Sequence, residues 1–168
     1  IRDRYNRINN TNYTQREFTD KVMRKYIDPT GDKWVEWMDE AGVDKAVLFG
    51  VDWAYGFTGE PRVTNREQNK AHADAAKRHP GRFIPLCALD PRRPDAVEQF
   101  TEAVEEWDMK GLKLHPLAGF YPDDPVCFPL YEKCREYGLP VVIHSGGAVG
   151  TWMHAQPLRI ARVAAEFP

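Results

Sequence analysis

The 168-residue chain has no long hydrophobic run, no excess of one charge and no even set of cysteines. Its longest apolar stretches, such as Ala46–Val51 and Val141–Ile143, fall far short of the roughly 20 residues a membrane helix needs. No secretory leader pattern opens it. Lysine and arginine number 23 against 25 acidic residues, a net charge of −2. With no basic stripe either, nucleic acid is not an expected partner, and neither is a membrane. The three cysteines, Cys87, Cys127 and Cys134, lack metal-knuckle spacing and sit among apolar residues, which predicts reduced core thiols and a cytoplasmic protein. No dinucleotide- or phosphate-loop glycine pattern occurs, so Gly146-Gly147 is a weak phosphate signal, and Ser145 lacks a nucleophile-elbow context. The chain opens at Ile1 rather than Met and ends at Pro168 just after a helical pattern, which reads as a processed or partial chain.

What is present describes a globular α/β domain: 42% of residues are hydrophobic and 29% charged. Residues 1–31 form a polar, aromatic N-terminal helical segment without a strand. In it, Thr14-Gln15-Arg16-Glu17 is a capping box opening a helix to about Ile27. Residues 32–168 form a second unit in which strands and helices alternate. A helix from Asp32 carries Trp34, Trp37, Met38 and Ala41 on one face and closes at Gly42. Ala46–Val51 is apolar on both faces, the pattern of a buried parallel strand. A second capping box, Thr64-Asn65-Arg66-Glu67, opens a helix to about Arg78. Strand Phe83–Leu89 follows, then a helix with Val97, Phe100, Val104 and Trp107 on one stripe. Strand Leu112–His115, a helix stopped by Gly138, strand Val141–His144 and a helix from about Pro157 to Phe167 complete the order. Four βα units in series predict a parallel sheet covered by helices.

The chemistry concentrates where two strands end. Gly111-Leu112-Lys113-Leu114-His115-Pro116 and Pro140-Val141-Val142-Ile143-His144-Ser145 both finish in histidine, the position where α/β barrels keep their reactive groups. Side chains alternate along a strand, so Leu112 and Leu114 share one face, and Lys113 and His115 the other. The leucines belong against the helices, which leaves Lys113 and His115 facing the barrel interior. The next strand repeats the pattern with His144, which places the two histidines about 5–8 Å apart across neighbouring strands. Neutral imidazole is a common ligand of divalent metals. Lys113 has three open uses: a carboxylate-binding cation, a Schiff-base amine, or a carbamate bridging two metals. Asp52 and Trp53, at the end of the first strand, are candidate substrate-pocket residues, and so is His154 in the loop after the last strand. His72 reads as a solvated helix residue and His79 as part of a turn.

Several stretches resemble the amidohydrolase-related family of metal-dependent barrels, the branch containing carboxymuconate-semialdehyde decarboxylases. Trp34–Trp53 resembles its second strand unit and His79–Arg92 its third. Met109–Pro116 resembles the fourth, Leu130–Gly146 the fifth, and Gln156–Pro168 the helix before strand six. The resemblance implies a (β/α)8 TIM-barrel type of fold of which only about strands 2–5 lie in this chain. It also implies a divalent metal of the zinc kind, and either hydrolysis of a carbon–nitrogen or ester bond or non-oxidative decarboxylation of a small-molecule substrate of the carboxylate class. The family holds its metal with a His-x-His or Glu-x-His pair on strand one, a histidine ending strand five and an aspartate ending strand eight. Only the strand-five ligand carries over, onto His144, because the five histidines, His72, His79, His115, His144 and His154, include no His-x-His. His115 and Lys113 take catalytic or substrate-orienting roles in this reading. A half-barrel leaves sheet edges and an interior face bare, so further copies of the chain or the rest of the barrel are expected partners. Two rivals stand beside it: a truncated barrel serving as a non-catalytic binding or scaffold subunit, and a metal-free Schiff-base lyase using Lys113.

Overall fold

A computed structural model describes residues 2–24, 28–146 and 152–168 of the protein. The N-terminal segment begins with α1 (Arg2–Asn9), whose Tyr5 packs on Tyr13 and edge-on against Phe18, at 6.3 and 5.3 Å between ring centroids. Both capping boxes form. At α2 (Gln15–Phe18) the Thr14 hydroxyl accepts the Glu17 amide while the Glu17 carboxylate accepts the Thr14 amide. Instead of one regular helix, α2 passes directly into a π-helical turn over Thr19–Met23, and residues 25–27 of the expected helix lie outside the described residues. Next come α3 (Asp32–Ala41) and α4 (Asn65–Arg78), the latter opened by the Thr64–Glu67 box. The remaining helices are α5 (Ala96–Glu105), α6 (Phe128–Tyr137) and α7 (Pro157–Glu166). Helices α3 and α6 end as their sequences predict: Gly42 and Gly138 adopt the left-handed conformation, φ 67° and 63°, in which a side chain is strained.

The strands are β1 (Ala46–Leu48), β2 (Phe83–Pro85), β3 (Cys87–Ala88), β4 (Leu112–Leu114) and β5 (Val141–Ile143), and every pairing is parallel. β1 pairs with β2, and β3 with β4, which pairs with β5. The single strand expected over Phe83–Leu89 is therefore two short ones. Leu86 still donates to the Leu48 carbonyl at 2.9 Å, and Cys87 donates to Gly111 on the other side at 2.9 Å. Beyond Leu48 the β1 chain peels away, and α4 takes its place. The Ala88 amide donates to Asn69 Oδ1 at 3.0 Å, and its carbonyl accepts from Asn69 and Asn65 Nδ2 at 2.9 and 2.7 Å. Two buried asparagines thus replace a strand neighbour, satisfying backbone groups that would otherwise be buried unpaired.

The two faces of the sheet differ as the alternation requires. Leu112 and Leu114 are wholly buried in one core with Phe100 and Ala103 of α5, Leu130 and Cys134 of α6, and Val163 of α7. On the opposite face Val47 is 50% exposed, Ile84 38% and Val142 37%. That is the inner wall of a barrel seen open. The three cysteines are free and buried, and burial pushes the thiols of Cys127 and Cys134 up to about 12. The tryptophan stripe of α3 does not enter a core. Trp34 and Trp37 cover each other edge-on at 5.4 Å and stay exposed, and only Met38 of that helix is buried. His72 corrects the sequence reading in the other direction: it is half-buried, its Nδ1 has no hydrogen-bond partner among the described residues, and burial lowers its pKa. His79 Nε2 meets Asp32 Oδ1 at 2.8 Å.

Candidate functional site

Strand register brings the two histidines together. Lys113 lies opposite Val142, and the ladder runs one residue further, where the His144 amide donates to the Leu114 carbonyl at 3.0 Å. His115 and His144 therefore leave the sheet side by side on its inner face, their ring centroids 4.4 Å apart and their planes at 43°. The β1 end supplies two aromatic walls. Trp53 meets His115 edge-on at 4.5 Å, and the Lys113 ammonium sits 5.0 Å over the Phe49 ring. Phe49 went unnoticed in the sequence, although it stands two residues beyond Val47 and so shares its inward face.

The electrostatics follow from burial without countercharge. Lys113 is 5% exposed and no carboxylate bonds it among the described residues, so burial lowers its pKa. Burial, helped by the neighbouring His144 and Lys113, drives His115 down to about 4 and keeps its imidazole neutral at neutral pH. His144 is lowered by burial and by Lys113, with a hydrogen bond to the Gly146 backbone pulling the other way. Among the described residues, each ring keeps a buried nitrogen without a hydrogen-bond partner, Nδ1 of His115 and Nε2 of His144. Buried polar atoms are rarely left so, and an unpaired imidazole nitrogen beside a second one suits a metal or a substrate oxygen.

The other candidates are placed differently. Asp52 is buried in a two-pronged ion pair with Arg93, at 2.5 and 3.0 Å, and also accepts the amides of Asp90 and Ala54. His154 packs on Tyr121 at 4.5 Å, in a turn (Trp152–Ala155) resting on the Pro116–Ala118 turn that follows His115. Gly147 falls outside the described residues. A cavity of about 770 Å³ lies on the far side of β5, between α6 and α7, lined by Val141, Ile143, Val163 and Phe167. Its lining is mainly apolar and holds no histidine. Among the described residues no three histidine, cysteine, aspartate or glutamate side chains gather into a metal-binding group. The fit to a metal is therefore partial: His144 Nε2 is a buried donor without a partner among the described residues, and three protein ligands are usual for catalytic zinc.

The imidazole pair lies at the C-terminal ends of adjacent parallel strands, the end at which (β/α) barrels build their active sites. Residues 48–168 match the family model for amidohydrolases, and the chain belongs to that family. It is 26% identical over 121 residues to the 2-amino-3-carboxymuconate-6-semialdehyde decarboxylase of Dictyostelium discoideum, an alignment covering 69% of this chain and 34% of that protein. An uncharacterised TIM-barrel protein from Bordetella bronchiseptica superposes with a TM-score of 0.62 at 26% identity, over 80% of this chain and 47% of that one. The 5-carboxyvanillate decarboxylase of Novosphingobium aromaticivorans, a structure with manganese and 4-hydroxy-3-methoxy-5-nitrobenzoic acid, superposes at 0.67 and 21% identity. It is matched over 92% of this chain and 44% of its own. The chain thus spans a third to a half of its relatives' length, and its fold is a segment of a TIM barrel.

Proposed function

We propose that this chain supplies the strand-four and strand-five side of the active site of a metal-dependent barrel enzyme acting on a small carboxylate substrate. Non-oxidative decarboxylation is favoured over hydrolysis of a carbon–nitrogen or ester bond, because two of the relatives above are named as decarboxylases. The observation that carries the proposal is the His115–His144 pair, 4.4 Å apart, with two buried nitrogens that find no partner among the described residues. His144 is the metal ligand. When bound, a divalent ion such as zinc or manganese would polarise a substrate carboxylate or carbonyl, or activate water. Lys113, a buried cation bonded to no carboxylate among the described residues, attracts and orients the substrate carboxylate. His115, neutral at working pH, holds a substrate oxygen or passes a proton through Nδ1. Trp53 walls the pocket beside it, Asp52 stands behind that wall, and His154 borders the rim. The bared inner sheet face calls for the rest of the barrel, within one polypeptide or from further copies. Three buried free thiols suit a reducing, cytoplasmic setting.

The test is manganese and zinc binding to the protein carrying the whole barrel, with and without His144→Ala. Loss of a ligand should weaken binding by more than the roughly 10–100-fold that outer partners cost, and unchanged occupancy would remove the assignment. The lowered pKa of Lys113 supports a second reading, a metal-free Schiff-base lyase. Borohydride in the presence of pyruvate would then attach a stable adduct to Lys113. No adduct, together with activity abolished by a chelator, excludes it.

A further inference from the structure

The loop after β3 carries consecutive arginines, and the two reach in different directions. Arg93 grips Asp52 through Nε and Nη2 and reaches Glu60 through Nη2 at 2.9 Å. In the Asp52–Arg93 pair the two side chains are only 3% and 9% exposed. Arg92 forks onto Asp90, at 2.9 Å from Nε and 2.6 Å from Nη2, and donates to the carbonyls of Ala118 and Gly119 at 3.0 and 3.3 Å. Asp52 joins the two halves, because its Oδ2 also accepts the Asp90 amide at 2.9 Å. The Tyr55 ring lies 5.7 Å from both guanidinium carbons. The loops so held are in close contact: a side chain at Gly56 would come within 2.9 Å of the Ala118 carbonyl oxygen.

These contacts converge on one side chain. Asp52 precedes Trp53, whose indole abuts His115, and the Pro116–Ala118 turn tied by Arg92 begins immediately after His115. We propose that Arg92 and Arg93 form a bracket that positions the His115 imidazole: Arg93, through Asp52, seats the indole against it, and Arg92 fixes the turn on its other side. Both are positioning residues, and so is Asp52. The inference rests on the reading of His115 as a site residue. Simple stability is a poor reason for such a bracket, since buried ion pairs are often no better than apolar packing. Fixed geometry is a good one, because a guanidinium fork sets both distance and orientation, which lysine does not.

The experiment follows the imidazole proton and carbon signals of His115 by NMR in the protein without added metal, at one pH near neutrality. Trp53→Leu removes the indole and defines the displacement its ring current causes. Asp52→Asn should move the His115 signals most of the way toward their Trp53→Leu position, and Glu60→Gln, which touches Arg93 from the exposed side, should move them less but in the same direction; Arg92→Lys, which loosens the turn on the other side, should shift them away from their wild-type position in a direction of its own. Thermal unfolding of each variant is measured alongside. If the variants lower the melting temperature while the His115 signals stay at their wild-type position, the arginines serve the fold alone and the proposal is overturned. It is equally overturned if Trp53→Leu leaves those signals unmoved. Should Asp52→Asn fail to fold, Glu60→Gln and Arg92→Lys decide the matter by the same criterion. Manganese added to the wild-type protein broadens the His144 signals if the proposed metal site is right. That readout is independent of the bracket, so either idea fails without the other.

Discussion

Lys113 is the residue whose removal tests the site most directly, and Lys113→Met is the perturbation to make. Methionine follows the lysine's unbranched path to within one atom, at a position flanked by Ala88 and Val142 on the neighbouring strands. The wild-type ammonium is nearly buried and, among the described residues, bonds no carboxylate. A buried polar group without a partner costs about 1–3 kcal/mol. The Phe49 ring, 5.0 Å from Nζ, returns about 0.5–2 kcal/mol of that. The substitution should therefore stabilise the fold by about 1 kcal/mol, or about 2–4 °C in melting temperature for a chain of this size. The pH dependence has a definite sign. The folded pKa lies below the ordinary 10.5, so the unfolded chain binds the proton more tightly. The resulting deficit is complete below the folded value and vanishes above 10.5. The advantage of Lys113→Met should thus be largest near neutral pH and shrink as pH rises through 10.5. Thermal and urea unfolding at the two pH values measure it, and a variant at least 1 kcal/mol less stable than wild type near neutrality would refute the reasoning. Stability gained while function is lost is the expected trade at a site retained for chemistry.

Three further outcomes follow from particular contacts. Because His115 titrates near 4 in the fold and near 6.5 when unfolded, its contribution to stability is whole above pH 6.5 and is lost as pH falls through about 4. Discounted for the ring's partial exposure, that loss is on the order of 1–2 kcal/mol, and His115→Leu should flatten it in urea titrations of the metal-free protein. Asn69→Ala strips the acceptor from the buried Ala88 amide, costing about 1–3 kcal/mol, and hydrogen exchange at Ala88 should quicken more than at Leu114. An unchanged Ala88 rate would deny Asn69 its role as a surrogate strand. Thr64→Ala removes the hydroxyl that caps α4 and should lower the urea midpoint by the equivalent of about 1 kcal/mol with the slope unchanged.

Local physics made much of this protein legible in one dimension. Both capping boxes, the glycine stops of α3 and α6, and the division of Leu112 and Leu114 from Lys113 and His115 follow from neighbouring residues and strand alternation, and the fold reproduces all of them. The tryptophan stripe of α3 shows where such reasoning stops: periodicity marks a face but not whether anything covers it, and Trp34 and Trp37 remain exposed. Tertiary structure decided three matters. Strand register set the 4.4 Å between His115 and His144, a distance no spacing in the chain encodes. Side chains of α4 ended the pairing of β1 and opened the sheet at Ala88. Arg93 met Asp52 from 41 residues away, in a buried ion pair that neither segment's local pattern announces. Alternation and capping act over a few residues and can be read directly. Register, coverage and ion pairing between loops depend on which distant segments the packed core brings together.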